Sequence, residues 1–268
     1  MTVKINAYLT SQVDGSGLWK FNIAAEERPG PISSAASPGF LGGVWVGTDL
    51  YLASQRRSDH FGIWKFDFRE QDGPIQVKST INQGFRGIAE VGTQLYLTTY
   101  LNSLGIWKFD LANQEKAAAQ ITKTNGKGFR GIVKVGTQLY LTTYLSGLGI
   151  WKFDLTKEDQ GDAITSISST MGGSFAGVIQ VGANLYLTGQ DGIDGIWKFD
   201  LTAPQNAATK IPSTAGLGFR DLIQVDTYLY LTGQDGIGGI WQFDLGTQDT
   251  PALIPSTQGF TFQDIVFV

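Results

Sequence analysis

The feature that most constrains the fold is an internal repeat that covers the whole chain. The segment 128–155 reads GFRGIVKVGTQLYLTTYLSGLGIWKFDL, and the segment 84–111 reads GFRGIAEVGTQLYLTTYLNSLGIWKFDL. The tryptophan of the G-[IL]-W word occurs six times, at spacings of 43 to 46 residues. A tyrosine within [LA]-Y-L and a phenylalanine after a Gly/Ser-rich run each recur six times as well. Periods of this length indicate a repeat architecture.

Each repeat reads as four short strands, which we name a to d. Strand a is FRGIVKV, and a two-residue Gly-Thr link typical of a type II′ hairpin leads into strand b, QLYLTTY. Strand c is GIWKFDL, and a variable polar loop precedes a short strand d. No segment has a sustained helical periodicity. Four short strands in each repeat of about 44 residues predict the blade of a β-propeller.

The two ends of the chain predict how the ring closes. The sequence begins with a strand b at 4–10 and ends with a strand a at 262–268, so both ends complete one blade. We therefore predict an all-β, six-bladed propeller with four antiparallel strands per blade, closed by N-terminal strands b, c and d with C-terminal strand a. It forms a single domain, 1–268, whose predicted blades are about 40–80, 85–124, 129–170, 175–214, 219–257, and 262–268 with 1–36.

Composition excludes several classes of function. The chain of 268 residues has a net charge of -4, no cysteine and one histidine, His60. An acidic chain without basic clusters is a poor nucleic-acid binder, and the missing cysteines exclude disulfides and thiol chemistry. We expect no metal, no cofactor and no membrane insertion, because no apolar run approaches the roughly 18 residues of a membrane span. The N-terminus lacks a signal pattern, which predicts a cytoplasmic protein, with release by a non-classical route left open.

The strand-c word WKFD has two interpretations. Trp64 and Phe66 share one face of the strand, while Lys65 and Asp67 share the other. Because blades stack face to face, aromatic side chains repeated in nearly every blade are explained most simply as packing between blades. The alternative is that the early strand-c tryptophans offer a face to a ligand; they are Trp64, Trp107, Trp151, Trp197 and Trp241.

The loops on the face that carries the d–a and b–c connections hold the candidate binding residues. An arginine follows the marker phenylalanine in three repeats, at Arg86, Arg130 and Arg220. The b–c loops add polar side chains: Tyr100, Asn102, Tyr144, Gln190, Asp191, Gln234 and Asp235. Planar donors and acceptors next to an aromatic face suit a sugar, so we predict shallow glycan sites between blades on this face. The simpler alternative is that the arginines bind the neighbouring blade and that the Gln/Asp loops are solvated turns.

The hairpin GTQLYLTTYLSGLGIWKF resembles the G-x-L-Y…[IL]-[YW]-K hairpin of tachylectin-2-type lectins. In architecture and blade count the chain is also similar to six-bladed fungal fucose-binding lectins. The resemblance covers the b–c hairpin of each repeat and implies multivalent carbohydrate binding without naming the sugar. It departs from the tachylectin-2 type in blade number, and the Arg/Glu/Trp pocket of the fungal lectins is not visible as a motif.

The predicted function is therefore a multivalent, non-enzymatic lectin that binds glycans or glycoproteins, with its oligomeric state left open. A propeller that serves as a scaffold for protein partners is the alternative. An enzyme is the least favoured class, because the repeats contain no off-symmetry set of acids, bases or metal ligands except the charged loop SQRRSDHFG at 54–62. The QDGIDG loop lacks the alternating ligands of a calcium loop.

Overall fold

The protein forms six four-stranded antiparallel sheets arranged in a ring, with almost no helix. The structure is a computed structural model that describes residues 6–11, 17–32, 39–54, 61–67, 73–99, 105–143, 147–190, 194–234 and 236–267. In every sheet strand a is followed by b, c and d, and contacts between successive a strands run around the ring. The prediction of a six-bladed propeller is confirmed.

The strands follow the repeats. Blade 1 contains β4 (Gly42–Val46), β5 (Asp49–Ser54), β6 (Gly62–Asp67) and β7 (Ile75–Gln76). Blade 2 contains β8 (Ile88–Val91), β9 (Gln94–Thr98), β10 (Ile106–Asp110) and β11 (Ala119–Gln120). Blade 3 contains β12 (Phe129–Val135), β13 (Gln138–Thr143), β14 (Ile150–Asp154) and β15 (Ile164–Ser166). Blade 4 contains β16 (Phe175–Val181), β17 (Asn184–Gly189), β18 (Gly195–Asp200) and β19 (Thr209–Lys210). Blade 5 contains β20 (Phe219–Val225), β21 (Tyr228–Gly233), β22 (Ile240–Asp244) and β23 (Ala252–Leu253).

Blade 6 joins the two ends of the chain. It contains β24 (Asp264–Phe267), β1 (Asn6–Thr10), β2 (Leu18–Asn22) and β3 (Gly30–Pro31). The C-terminal strand β24 pairs antiparallel with β1, so that Ala7 lies opposite Phe267 and Thr10 lies opposite Asp264. The predicted closure of the ring by strands from both termini is confirmed. Closure matters because it removes the two sheet edges that an open array of blades would expose.

The turns between strands a and b contain glycine with a positive φ angle, as the predicted Gly-Thr hairpin link requires. Gly92 and Gly136 have φ angles of 62° and 59°, the left-handed region that the first position of a type II′ turn requires. In blade 5 Asp226 takes the same place with a φ of 52°. Aspartate is one of the few side chains that tolerates this region, which explains how the hairpin survives without glycine.

The hydrophobic core is divided into six layers, one between each pair of neighbouring blades. In the layer between blades 1 and 2, Tyr51 and Ile63 pack against Phe85 and Leu97. Two phenylalanines of each blade are fully buried, the marker phenylalanine in or up to three residues before strand a and one in strand c; they are Phe21, Phe40, Phe66, Phe85, Phe109, Phe129, Phe153, Phe175, Phe199, Phe219, Phe243 and Phe262. Each blade is therefore stabilised by its neighbours, which explains why the same aromatic positions recur in every repeat.

Threonine hydroxyls near the end of strand b tie the inner strands together. The Thr142 hydroxyl accepts a hydrogen bond from Gly131 N at 2.7 Å and donates one to the Ala176 carbonyl of the next blade at 2.6 Å. Thr98 and Thr188 repeat this arrangement, donating to the carbonyls of Arg130 and Arg220 at 2.8 and 3.1 Å. These bonds lie around the axis and hold successive blades at a constant separation.

The short distance between the inner strands of neighbouring blades requires glycine. A Cβ on Gly131 would lie 2.5 Å from the Ala176 carbonyl oxygen, well inside van der Waals contact. Gly42 and Gly87 face the carbonyls of Arg86 and Arg130 in the same way. The glycine two residues after the marker phenylalanine is thus needed for close packing of inner strands rather than for an unusual backbone angle.

A second set of links lies at the outer rim. Within the described residues, a short 3-10 turn follows strand d in blades 1 to 5; the turns are Lys78–Thr80, Thr122–Thr124, Ser168–Thr170, Pro212–Thr214 and Pro255–Thr257. In these turns Ser169 and Ser213 each donate a hydrogen bond of 2.7 Å to a carbonyl in the c–d loop of the next blade. The ring is therefore held by polar links both at the axis and at the rim.

We predict that Gly131→Ala lowers the free energy of unfolding by about 1–3 kcal/mol, the usual cost of overpacking. Gly161→Ala is the matched control, because a Cβ at Gly161 meets no atom within 4 Å. Urea denaturation of both variants measures the difference. Equal stability of the two variants would contradict the close-approach explanation.

Candidate functional site

A cavity runs along the central axis and forms a channel. It has a volume of about 500 Å³ and is lined by the innermost strand a of all six blades. At the end where the strands begin, Arg86, Arg130 and Arg220 lie beside Gln263. At the opposite end Glu90 and Lys134 line the wall. We call the arginine end the channel mouth, defined by the residue that follows each marker phenylalanine; around the ring these are Leu41, Arg86, Arg130, Ala176, Arg220 and Gln263.

A β-bulge in strand a places two of the arginines, Arg130 and Arg220. In blade 3 the pairing register with strand b shifts between Phe129 and Ile132, so that Arg130 and Gly131 occupy the irregular segment. The same shift lies between Phe219 and Leu222 in blade 5. A bulge re-aims the side chain that it contains, which explains why the arginine is turned toward the channel mouth while Phe129 stays in the layer between blades.

Two arginines reach across to the next blade. Arg130 Nη1 donates a hydrogen bond to Gln190 Oε1, and Gln190 is only 3% exposed. Arg220 Nη1 donates to Gln263 Oε1 at 3.1 Å. Arg130 and Gln190 were both predicted as site residues, and the structure brings them together, at the axis rather than in separate pockets. Gln234 instead donates to the Phe219 carbonyl at 3.1 Å.

A pair of carboxyl groups lies just below the mouth. Asp221 and Asp264 are hydrogen-bonded to each other, and they occupy the position that is glycine in the other four blades. Burial, the charge of Asp221 and the hydrogen bond between the two raise the pKa of Asp264 well above its ordinary value. Burial also raises the pKa of Asp221, while the hydrogen bond from Asp264 and the charge of Arg130 oppose that rise. Two carboxylates this close repel each other, so we expect the pair to share a proton held mainly by Asp264, whose pKa is raised well above its ordinary value.

The carboxyl pair also anchors the C-terminal strand. Asp221 Oδ2 accepts a hydrogen bond from Ile265 N at 3.3 Å, which links blade 5 to β24. Asp264 in turn accepts one from the backbone of Gly43 in blade 1. Sequence analysis missed this pair, although the glycine-to-aspartate change at one fixed position of the aligned repeats was the signal that marks it.

The tryptophans act in packing. Each meets the marker phenylalanine of its own blade edge to face, with ring centroids 5.8–6.3 Å apart; the pairs are Trp64–Phe40, Trp107–Phe85, Trp151–Phe129, Trp197–Phe175 and Trp241–Phe219. Lys127 and Lys210 also lie over the rings of Trp151 and Trp197, at 5.4 and 5.2 Å. All five indoles are half-buried. The packing interpretation accounts for these contacts, and a sugar contact stays a prediction.

Several predicted residues lie outside the described residues. They are Tyr100, Asn102, Tyr144, Asp191 and Asp235. The charged loop with Arg56, Arg57, Asp59 and His60 is outside them too. Within the described ranges, no three His, Cys, Asp or Glu side chains come together as a possible metal site. No helical segment of the described chain has the length and apolar character of a membrane span.

Three equivalent crevices lie on the opposite face, at the outer rim. We call them the rim crevices; they have volumes of about 410, 400 and 430 Å³ and belong to blades 6, 1 and 2. Each is lined by the lysine and the Asp or Asn of the strand-c word together with strand d. The shared positions are Lys20 and Asn22, Lys65 and Asp67, and Lys108 and Asp110.

The c–d loop of the next blade forms the other wall of two rim crevices. In blade 2 Lys108 Nζ contacts both carboxylate oxygens of Glu158 at 3.0 Å, and the Tyr96 hydroxyl donates to Glu158 at 2.9 Å. Burial raises the pKa of Tyr96, and the hydrogen bond to the charged Glu158 raises it further. In blade 1 Lys65 Nζ forms its ion pair with Asp49 of its own blade, at 2.9 Å. Gln114 and Glu115 of blade 2 line the other side of that crevice.

Comparison with known proteins bears on the fold. The protein is similar to a chain in the crystal structure of a nidogen/laminin complex, with 12% identity, a TM-score of 0.71 and coverage of 98% of both chains. At this identity the likeness concerns architecture alone. No protein-family model and no curated protein matches the chain. The propeller architecture is thus supported, and the comparisons support no particular lectin family.

We predict that Asp264→Asn flattens the dependence of stability on pH. A carboxyl whose pKa is raised by folding stabilises the folded state at acidic pH, and this contribution is lost as the pH rises through the raised pKa. Asparagine keeps the shape and cannot ionise, so the variant is expected to be more stable than the wild type at pH 8. Urea denaturation between pH 5 and 9 measures this, with the exposed Asp249→Asn as control. Parallel curves for wild type and Asp264→Asn would contradict the shared proton.

We predict that Arg130→Ala lowers the free energy of unfolding by about 1–3 kcal/mol, because the buried Gln190 loses its charged donor. Lys134→Ala, at the exposed far end of the same strand, is the control. Thermal unfolding and glycan binding are measured on the same preparations. Unchanged stability with weakened glycan binding would overturn the bridging role and favour the direct sugar contact.

Proposed function

We propose that the protein is a non-enzymatic, multivalent carbohydrate-binding protein whose sites are the rim crevices. The observation that carries this proposal is repetition: polar crevices of nearly equal volume recur at equivalent places in blades 6, 1 and 2. Repeated weak sites on one rigid face raise the total affinity for a clustered ligand through avidity. A glycan-coated surface is such a ligand.

The chemistry of the rim crevices suits sugar hydroxyls. Ammonium, amide and carboxylate groups supply both donors and acceptors within one crevice, as Lys65, Gln114 and Glu115 do in blade 1. The rigid strands c and d hold these groups in place, so little order has to be gained on binding. The proposed sites lie on the face opposite to the one that sequence analysis favoured, and the strand-c word WKFD lines them.

A second candidate is a scaffold that binds a protein partner through the face around the channel mouth. Three arginines occupy unequal positions of the ring there, which favours one partner in one orientation over a repeated ligand. The similar chain in the solved structure also comes from a protein complex, as its description as a nidogen/laminin complex states.

We predict that the Lys65→Ala, Lys108→Ala double variant weakens binding to a multivalent glycan surface by about a hundredfold, since two of three sites are altered. Lys152→Ala is the matched control, because Lys152 occupies the same word in blade 3 and lines none of the rim crevices. A glycan array identifies the sugar, and surface binding of wild type and variants to that sugar measures the effect.

Two outcomes would overturn the lectin proposal. One is an array without signal for any glycan. The other is a double variant that binds as tightly as Lys152→Ala. Recovery of one defined protein in a pull-down, lost in Arg86→Ala and kept in the double variant, would establish the scaffold candidate instead.

A further inference from the structure

We propose that the rim crevice of blade 6 binds the acidic residue of a glycan, a sugar that bears a carboxylate or a sulfate group. The crevices of blades 1 and 2 lack this preference. The inference rests on the proposed function and deepens it, because it assigns a class of sugar to one of the three sites. It is carried by the lysine of the strand-c word and by the side chains around that lysine in each crevice.

In blades 1 and 2 this lysine has a carboxylate partner. Lys65 Nζ lies 2.9 Å from Asp49 Oδ2, and Lys108 Nζ lies 3.0 Å from Glu158 Oε2. An ammonium group that is already paired gains little from an anionic ligand, because the ligand has to replace the existing partner. The lysine charge in these two crevices is therefore compensated within the protein.

In blade 6 the corresponding carboxylates are replaced by amides. Asn6 lies opposite Asn22 where β1 pairs with β2, at the place where Asp49 lies opposite Asp67 in blade 1. Both acidic neighbours of the lysine are thus exchanged for neutral groups of the same shape. In the part of the chain that the structure describes, Lys20 forms no ion pair and no side-chain hydrogen bond.

The exchange at position 22 removes a charge without changing the turn that follows strand c. Asn22 Oδ1 accepts a hydrogen bond from Ala25 N at 3.2 Å. In blade 2 Asp110 Oδ1 accepts one from Ala112 N at 3.0 Å. Asparagine and aspartate both stabilise turns in this way, and the other five repeats have aspartate at this place. The charge of the crevice therefore differs while its backbone is kept.

The charged residues that line the crevices agree with this difference. In blade 6 the described ones are Lys20, Glu27 and Arg28, with a sum of +1. Glu27 and Arg28 are exposed neighbours of opposite sign, and the Arg28 guanidinium lies over the ring of Phe260, 5.3 Å from its centroid. The described lining residues comprise two lysines and two acids in blade 1, and three of each in blade 2. An anionic sugar is thus favoured in blade 6 over the other two crevices.

The remaining lining residues suit a sugar ring rather than a free anion. The volume of about 410 Å³ falls within the range of small-molecule pockets. Pro31 and Ile32 line the crevice with carbon, which can pack against the C–H groups of a sugar, while Asn6 and Asn22 offer amides to its hydroxyl groups. The ammonium of Lys20 is a compact charge with three donors, so it accepts a carboxylate or a sulfate.

Titration with glucuronate, glucose 6-sulfate, glucose and acetate at constant ionic strength, followed by the NMR shifts of the backbone amides, tests the proposal. We expect glucuronate to shift amides of β1, β2 and β3 and to bind at least about tenfold more tightly than glucose, since a charge-assisted hydrogen bond is gained. Binding of glucuronate but not of glucose 6-sulfate would identify a carboxylate site, and equal binding would establish a site for both anionic groups. Acetate is expected to bind more weakly than glucuronate.

The Asn6→Asp, Asn22→Asp double variant introduces the two carboxylates that blade 1 has, an arrangement that the sheet of blade 1 accommodates. We expect its affinity for glucuronate to fall at least about tenfold, because Lys20 then has acidic neighbours that compete with the ligand and repel it. The Asn184→Asp, Asn206→Asp double variant is the matched control. It adds the same charge in blade 4, away from the rim crevices, and is expected to bind as the wild type does.

The outcomes separate this inference from the proposed function. Equal affinity for glucuronate and glucose, shifts with acetate as large as those with glucuronate, or unchanged glucuronate binding by Asn6→Asp, Asn22→Asp would overturn the inference. Glycan-surface binding that is lost in the Lys65→Ala, Lys108→Ala variant would still support the lectin proposal in each of these cases. Circular dichroism verifies that the blade 6 variant is folded. If it is not, Lys20→Gln replaces it, and glucuronate binding by Lys20→Gln as tight as that of the wild type would also overturn the inference.

Discussion

The whole ring depends on how closely each inner strand approaches the next. A Cβ on Gly42, Gly87 or Gly131 would collide with a backbone carbonyl oxygen of the next blade. Glycine at these positions is therefore needed for the inner strands to pack into a closed ring. The threonine hydroxyls that bridge the same gap, as Thr142 does, set its width. Close packing of the inner strands in this way sets the width of the central channel that they line.

Several departures from the repeat lie near the axis. Asp221 in blade 5 and Asp264 in blade 6 replace the packing glycine, and their carboxyl groups accept hydrogen bonds from backbone N–H groups of the blade that follows each. Leu41 and Ala176 replace arginine at the mouth. Positions buried between blades, such as Phe129 and Phe175, barely vary, because every layer of the core has the same shape to fill.

The rim crevices and the channel mouth differ in how often they occur in the ring. The rim crevices are repeated because strand c, strand d and the next c–d loop meet in the same way at successive blades. The channel mouth is single, because all six blades share one axis. Repetition suits weak sites that act through number, whereas a single axial feature can engage a partner in only one place.

The sequence by itself determined the class of fold, the number of blades and the closure by both termini, because the periodicity of Trp, Tyr and Phe reflects packing that each blade needs equally. It also identified Arg86, Arg130 and Arg220 as exceptional. Only the tertiary structure decided where these side chains meet, because their neighbours, such as Gln190 60 residues from Arg130, are brought close by the curvature of the ring. It likewise decided that Lys108 and Glu158, 50 residues apart, meet across a crevice, since strand c of one blade reaches the c–d loop of the next only when the two blades pack side by side.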